Sequence, residues 1–164
     1  MIDKIIDLAK NEGFKVVLLK TSKLEFDPYF RKYCEQNLCG NFGTSPYCPP
    51  LCPSAEELKD EVLKHKFVLV LKSEHYIPDL EDEEKIKAAN AAHNEVTLRI
   101  INKLPKFCGA LALCTYTDIE IPKNITAACL SAYCVNVLKM AKSCQMSYAY
   151  KDSTLPLFGF ITLD

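Results

Sequence analysis

Residues 34–53 read Cys-Glu-Gln-Asn-Leu-Cys-Gly-Asn-Phe-Gly-Thr-Ser-Pro-Tyr-Cys-Pro-Pro-Leu-Cys-Pro. The cysteines of this stretch, Cys34, Cys39, Cys48 and Cys52, follow the spacing C-x4-C-x8-C-x3-C-P. The glycines and prolines between them exclude a regular helix or strand, because both residue types favour turns and proline lacks a backbone donor. A loop of this length has little core of its own. We therefore predict an ordered loop held together by four thiolates on one metal centre.

The spacing of these cysteines permits more than one metal. Thiolate is a soft ligand that selects zinc, copper(I) or iron–sulfur clusters. Structural zinc sites commonly place a few residues between paired cysteines, and both C-x4-C and C-x3-C satisfy this condition. The ending C-x3-C-P also closes the bacterial ferredoxin run, whose cysteines bind 4Fe–4S clusters. The choice between zinc and an iron–sulfur cluster stays open. Arg31 and Lys32 lie just upstream and are in position to offset the negative charge of a thiolate centre, but an ordinary solvated helix face is the favoured prediction for them.

Length and composition set the broad class of the protein. The chain has 164 residues, 25% of them charged, and a net charge of −1. This length suits one domain, so 1–164 is predicted to be a single metal-binding domain. Without excess basic charge there is no field to attract nucleic acid or an anionic membrane. No apolar run approaches the ~20 residues of a membrane helix, and the N-terminus is amphipathic rather than signal-like, so a cytoplasmic protein is expected.

Apolar patterns alternate between short buried strands and longer helices along the chain. Strands are predicted at 14–19, 67–71, 108–116, 146–150 and 157–163. Helices are predicted near 2–13, 28–33, 54–64, 80–104 and 127–142. This alternation predicts an α/β fold with a mostly buried central sheet flanked by helices. The cysteine loop is inserted after the first strand, and the last two strands form a C-terminal hairpin.

The chain contains nine cysteines, and the cytosol keeps thiols reduced, so a disulfide framework is not expected. The cysteines outside the loop lack the spacing of a second site and are predicted to be packing residues: Cys108, Cys114, Cys129, Cys134 and Cys144. No C-x-x-C pair occurs, which weighs against a thioredoxin-type redox centre. No motif joins the three histidines, so surface or capping roles are predicted for His65, His75 and His93. Neither a G-x-G-x-x-G nor a P-loop occurs, so nucleotide binding has no support.

A longer motif surrounds the last loop cysteines: Cys48-Pro-Pro-Leu-Cys-Pro-Ser, followed by Glu56-Glu-Leu. Together with Cys34 and Cys39, it resembles the opening motif of an uncharacterised family of predicted metal-binding proteins. This family is a cysteine-rich domain of unknown function, common in anaerobic bacteria and methanogens, and residues 109–113 and 128–137 resemble its later segments. The resemblance implies metal binding without an established reaction. The family pattern has a second cysteine cluster after the third strand, whereas residues 115–125 contain no cysteine, which argues against a second metal centre here.

Three hypotheses of function follow. The first is one iron–sulfur cluster bound by Cys34, Cys39, Cys48 and Cys52, for electron transfer or redox sensing with a protein redox partner. The second is a structural zinc site at the same cysteines that shapes a protein-interaction or ligand-binding surface. The third is a metal-dependent enzyme of unknown reaction, in which the metal keeps an open coordination position and no catalytic residue is identified.

Overall fold

The structure is a computed structural model that describes residues 2–115 and 119–164. The elements, in chain order, are α1 (Ile2–Asn11), β1 (Lys15–Lys20), α2 (Arg31–Glu35), α3 (Ala55–Leu63), β2 (Phe67–Tyr76), α4 (Glu83–Asn102), β3 (Ala110–Leu113), β4 (Thr126–Cys129), α5 (Val137–Ser143) and β5 (Thr154–Leu163). The end of the predicted third strand, at 116, and the start of the following connection, at 118, lie outside the described residues.

The strands form one mixed sheet with the order β1-β2-β5-β3-β4. Antiparallel pairing joins β1 to β2, β2 to β5 and β5 to β3, whereas β3 and β4 run parallel, with Leu113 opposite Cys129. The residues of the cysteine loop lie between β1 and β2 in the chain. The predicted α/β fold, a central sheet flanked by helices, is confirmed.

Both faces of the sheet are covered, as the unbroken apolar pattern of β2 predicts. Val68, Val70 and Phe160 pack against α3 and α5 on one face. Leu69 and Leu71 pack against α1 and α4 on the other. Successive side chains of a strand point to opposite faces, so β2 contributes to both layers of the core.

The helices begin where their capping residues predict. The Ser54 hydroxyl accepts a hydrogen bond from the Glu57 amide at 3.1 Å, and the Glu57 carboxylate accepts one from the Ser54 amide at 3.4 Å. This reciprocal pair is the predicted capping box of α3. Asp82 caps α4 in a similar way, accepting from the Lys85 amide at 3.2 Å. Across 2–115 and 119–164, no helix combines the length and apolar character that a membrane span requires.

The predicted helix at 127–142 is wrong in its first half. Thr126–Cys129 is strand β4, a 3₁₀ turn follows at Leu130–Tyr133, and only Val137–Ser143 is α-helical. Alanine-rich composition favours a helix locally, but pairing with β3 satisfies the backbone of β4 instead. Cys134 then adopts a left-handed conformation with φ 59°, which separates the turn from α5.

The predicted strand at 146–150 is absent, and the C-terminal hairpin is reduced to a single bridge between Lys151 and Thr154. Asp152 and Ser153 form the tight turn inside that bridge, with φ values of 53° and 58°. The Tyr150 hydroxyl donates to the Ile77 carbonyl at 2.5 Å, so the segment before the turn is tied to the end of β2. Strand β5 pairs with β2 and β3 instead of with the preceding segment.

Candidate metal site in the cysteine loop

The cysteine loop, residues 34–53, connects α2 to α3 by a series of turns. Asn37, Gly40 and Gly43 have φ values of 55°, 78° and 75°, conformations that glycine and asparagine tolerate best. The Asn37 side-chain oxygen accepts from the Phe42 amide at 3.0 Å, and the Gly43 amide donates to the Pro49 carbonyl at 2.9 Å. These local bonds fold the segment back on itself, and within it only Cys34 and Glu35, the end of α2, are helical.

Arg31 ties the loop to the rest of the fold. Its Nε donates to the Ala132 carbonyl at 3.0 Å and its Nη2 to the Pro53 carbonyl at 2.5 Å. Burial raises the pKa of the Cys52 and Cys134 thiols, and the Arg31 guanidinium opposes part of this shift. The predicted solvated helix face therefore holds for exposed Lys32 but not for Arg31. One of the Arg31 partners, Ala132, lies in the 3₁₀ turn after β4, which local sequence does not reveal.

A cavity of about 380 Å³ lies between the cysteine loop and the carboxyl ends of β3 and β4. Because β3 and β4 are parallel, their carboxyl ends meet at one edge of the sheet. Cys114 directly follows β3 and Cys129 ends β4. Five cysteines line this space, which we call the cysteine cavity: Cys34, Cys39, Cys48, Cys114 and Cys129.

Cys48 and Cys129 are in direct contact across the cysteine cavity. Their Sγ atoms are 3.3 Å apart, and the Cys129 amide donates to the Tyr47 carbonyl at 2.9 Å. The hydrogen bond with Cys129, supported by Ser45, lowers the pKa of Cys48 to about 7 although burial opposes the shift. The lowered pKa favours the thiolate, the state that binds metals and reacts with electrophiles.

The remaining predicted ligands differ in their surroundings. Burial raises the pKa of Cys34 to about 11, the neighbouring Cys39 thiol adds to that shift, and Arg31 opposes it. Cys39 is exposed at the surface. Cys52 is buried, its Sγ donates to the Pro53 carbonyl at 3.5 Å, and it is not among the residues that line the cysteine cavity. Three of the four predicted ligands thus share the cavity, and Cys52 lies outside it.

The donors at the cysteine cavity have the chemistry of a soft-metal site. Thiolates suit zinc, copper(I) and iron–sulfur clusters, and poorly suit magnesium or calcium. In the described part of the chain, however, no three cysteine, histidine or carboxylate side chains are close enough together to hold an ion. The donor set fits a thiophilic centre, and binding one requires the loop to bring Cys34 or Cys39 closer to the Cys48–Cys129 pair.

The cysteines predicted as packing residues divide into two groups. Cys134 and Cys144 are buried, in agreement with that prediction, whereas Cys108 is exposed. Cys114 and Cys129 are also buried, but they line the cysteine cavity. Their position at the carboxyl ends of two parallel strands would have indicated a role in the site. Because β4 was predicted as helix, the sequence did not show that the two cysteines share this edge of the sheet.

The histidines lie away from the cysteine cavity. His93 is 1% exposed within α4, and its Nδ1 lies 2.6 Å from the Ser73 hydroxyl, which also contacts His75 Nε2 at 2.7 Å. His65 pairs with Asp164 at 2.9 Å near the surface. The predicted surface or capping role is therefore wrong for His93, because α4 turns this residue into the core, against Phe14.

Comparison with known proteins gives one informative result. No curated protein and no solved structure gives a match to this chain. A family model described as "Predicted metal-binding protein (DUF2284)" matches residues 17–163, from β1 through the cysteine loop to the end of β5. This agrees with the resemblance drawn from the loop motif, and the chain belongs to this family of predicted metal-binding proteins.

Proposed function

We propose that this protein binds one iron–sulfur cluster in the cysteine cavity, for electron transfer or redox sensing. The observation that carries the proposal is the cavity itself, about 380 Å³ in volume and lined by five cysteines. This space has room for a cluster as well as for a single ion. A cluster would supply a one-electron redox centre, which zinc lacks.

The chain's own residues provide what such a centre needs. Of the four ligands that the loop spacing predicts, Cys34, Cys39 and Cys48 line the cavity, whereas Cys52 does not. The lowered pKa of Cys48 favours the thiolate that a metal requires. Arg31, held by two backbone carbonyls, places a positive charge beside the loop thiols and offsets part of the negative charge of a thiolate-bound centre.

Surface features of the loop support a protein redox partner. Leu38 and Leu51 are 81% and 57% exposed, and Tyr33 on α2 is 52% exposed. Contiguous exposed apolar patches mark protein–protein contact sites, and we propose that these side chains form one beside the cavity. With Cys39 also exposed in the same loop, a docked partner would lie close to the cluster, as short-range electron transfer requires.

Anaerobic purification followed by an absorption spectrum and metal analysis tests the proposal. A brown, oxygen-sensitive protein with bound iron and acid-labile sulfide is expected. Cys48→Ser should lose the visible absorbance, whereas Cys144→Ser, which replaces a buried cysteine outside the cavity, should keep it. Colourless protein with stoichiometric zinc would overturn the iron–sulfur assignment and favour the structural zinc site, in which case chelation should loosen residues 34–53 without any change in visible absorbance.

A further inference from the structure

The contact between Cys48 and Cys129 bears on which residues bind the centre. Cys129 belongs to β4, and the sequence pattern of the loop gives no reason to include it. In the structure its sulfur lies 3.3 Å from that of Cys48. The Cys52 thiol, by contrast, donates a hydrogen bond to the carbonyl of the next residue, Pro53, and does not line the cavity.

We infer that Cys129 is a ligand of the proposed cluster and that it binds the same iron as Cys48. This inference rests on the proposed function. Two sulfurs bound to one tetrahedral metal with bonds of about 2.3 Å lie about 3.8 Å apart. The observed Sγ–Sγ distance of 3.3 Å is close to that value, so a small rotation of either side chain provides the required separation.

Backbone contacts hold Cys48 and Cys129 next to each other. The Cys129 amide donates to the Tyr47 carbonyl, one residue before Cys48, at 2.9 Å. Cys129 is also fixed by the parallel pairing of β4 with β3. Cys129 is therefore placed by the sheet, and its backbone bond to Tyr47 holds Cys48 beside it, whereas Cys39 depends on the turns of the loop. Ligands held on strands are more rigidly placed than ligands held on loops.

The shared iron restricts the type of cluster. Both 2Fe–2S and 4Fe–4S clusters are bound by four cysteines. A four-iron cluster therefore offers one iron to each cysteine, whereas a two-iron cluster takes two cysteines on each iron. Two thiols in contact fit the second arrangement, with Cys48 and Cys129 on one iron and Cys34 and Cys39 on the other. The C-x3-C-P ending, typical of four-iron ferredoxins, would then reflect a similar backbone turn in the two kinds of protein and not the same type of cluster.

Metal content and ligand substitution together test this inference in the full-length protein, purified without oxygen and reconstituted with ferrous iron and sulfide. We expect about two irons and two sulfides per chain. Cys129→Ser and Cys129→Ala should each lower bound iron roughly tenfold or more, or shift the visible absorption bands. Cys52→Ser should retain the cluster, and Cys144→Ser serves as the control for removal of a buried thiol.

The outcomes separate this inference from the proposed function. A wild-type protein with about four irons per chain would overturn the shared iron, and Cys129 variants with unchanged iron and unchanged spectrum would overturn the role of Cys129 as a ligand. Either result would leave an iron–sulfur protein. Absence of iron and sulfide from the wild type would overturn the proposed function instead. A ratio of about four irons per chain in the wild type would overturn the shared iron without any variant, so the inference can be refuted even if Cys129→Ser and Cys129→Ala fail to fold.

Discussion

The buried histidine of α4 should make the fold sensitive to mild acid. His93 is 1% exposed, its Nδ1 contacts the Ser73 hydroxyl at 2.6 Å, and its ring centroid lies 4.8 Å from that of Phe14. Its Nε2 is buried without a hydrogen-bond partner in the described part of the chain. Burial, with a smaller contribution from His75, lowers the pKa of His93 to about 3.

The sign and size of the effect follow from proton linkage. Between the folded pKa of about 3 and the unfolded value of 6.5, the unfolded chain binds more protons than the folded one. The free energy of unfolding therefore rises with pH across this window, by up to about 1.4 kcal/mol per pH unit. The stability that the fold gains from a neutral His93 ring is fully present above pH 6.5 and declines as the pH falls. From pH 7 to pH 5 the loss due to His93 is about 2 kcal/mol.

Urea unfolding of metal-free, reduced protein at pH 7 and pH 5 measures this loss. His93→Gln should lower the unfolding free energy at pH 7, because it disturbs a packed site, yet the difference between the two pH values should shrink by about 2 kcal/mol. His75→Gln is the matched control, because His75 also contacts Ser73 but is only partly buried, so it should remove a smaller part of the pH dependence. A His93→Gln variant that keeps the full wild-type difference would show that His93 is not the acid-sensitive group.

Three further perturbations test separate parts of the structure. In metal-free protein, the rate of Cys48 alkylation by iodoacetamide should rise with pH, with a midpoint near pH 7. Cys129→Ala should move the midpoint of this pH profile upward, and an unmoved midpoint would contradict the thiol–thiol hydrogen bond. Gly159→Ala places a Cβ 2.6 Å from the Ala112 carbonyl oxygen and should cost about 1–3 kcal/mol in urea unfolding, a result that unchanged stability would refute. Ser54→Ala removes the cap of α3 and should cost about 1 kcal/mol by the same assay, whereas no loss would show that the capping box contributes little.

Elements whose signals are local were predicted well from the sequence. The long helix predicted at 80–104 appears as α4 (Glu83–Asn102), and the unbroken apolar strand at 67–71 appears as the first half of β2. The capping box at Ser54 marked the start of α3 to the residue. Each of these depends on side chains within a few positions of one another, so no knowledge of the tertiary structure was needed.

Elements that depend on distant partners were predicted poorly. Residues 126–129 are strand only because β3 lies beside them, and alanine-rich composition alone favours helix. The segment at 146–150 has alternating aromatic residues typical of a strand, but Tyr150 is held at the end of β2 and Tyr148 packs on Phe158. In both cases tertiary contacts override the local preference.

The same division applies to the candidate site. Cys34, Cys39, Cys48 and Cys52 are clustered in the chain, so spacing alone suggested a metal loop. The contribution of the strands was not visible, because Cys48 and Cys129 are separated by 81 positions and meet only through the fold. Spacing also placed Cys52 with the others, although the turn at its position directs it away from the cysteine cavity.

The position of the cavity follows from the topology of the sheet. In α/β folds ligands commonly bind beyond the carboxyl ends of parallel strands, where the chain leaves the sheet and opens a crevice. In the described sheet, β3 and β4 are the parallel neighbours, and Cys114 and Cys129 lie at their carboxyl ends. The cysteine loop covers this edge and is anchored there by the Cys129–Tyr47 backbone bond and by Arg31. A metal centre at this edge would therefore join the loop to the sheet, so its removal should loosen residues 34–53 far more than the antiparallel β1-β2-β5 half of the sheet.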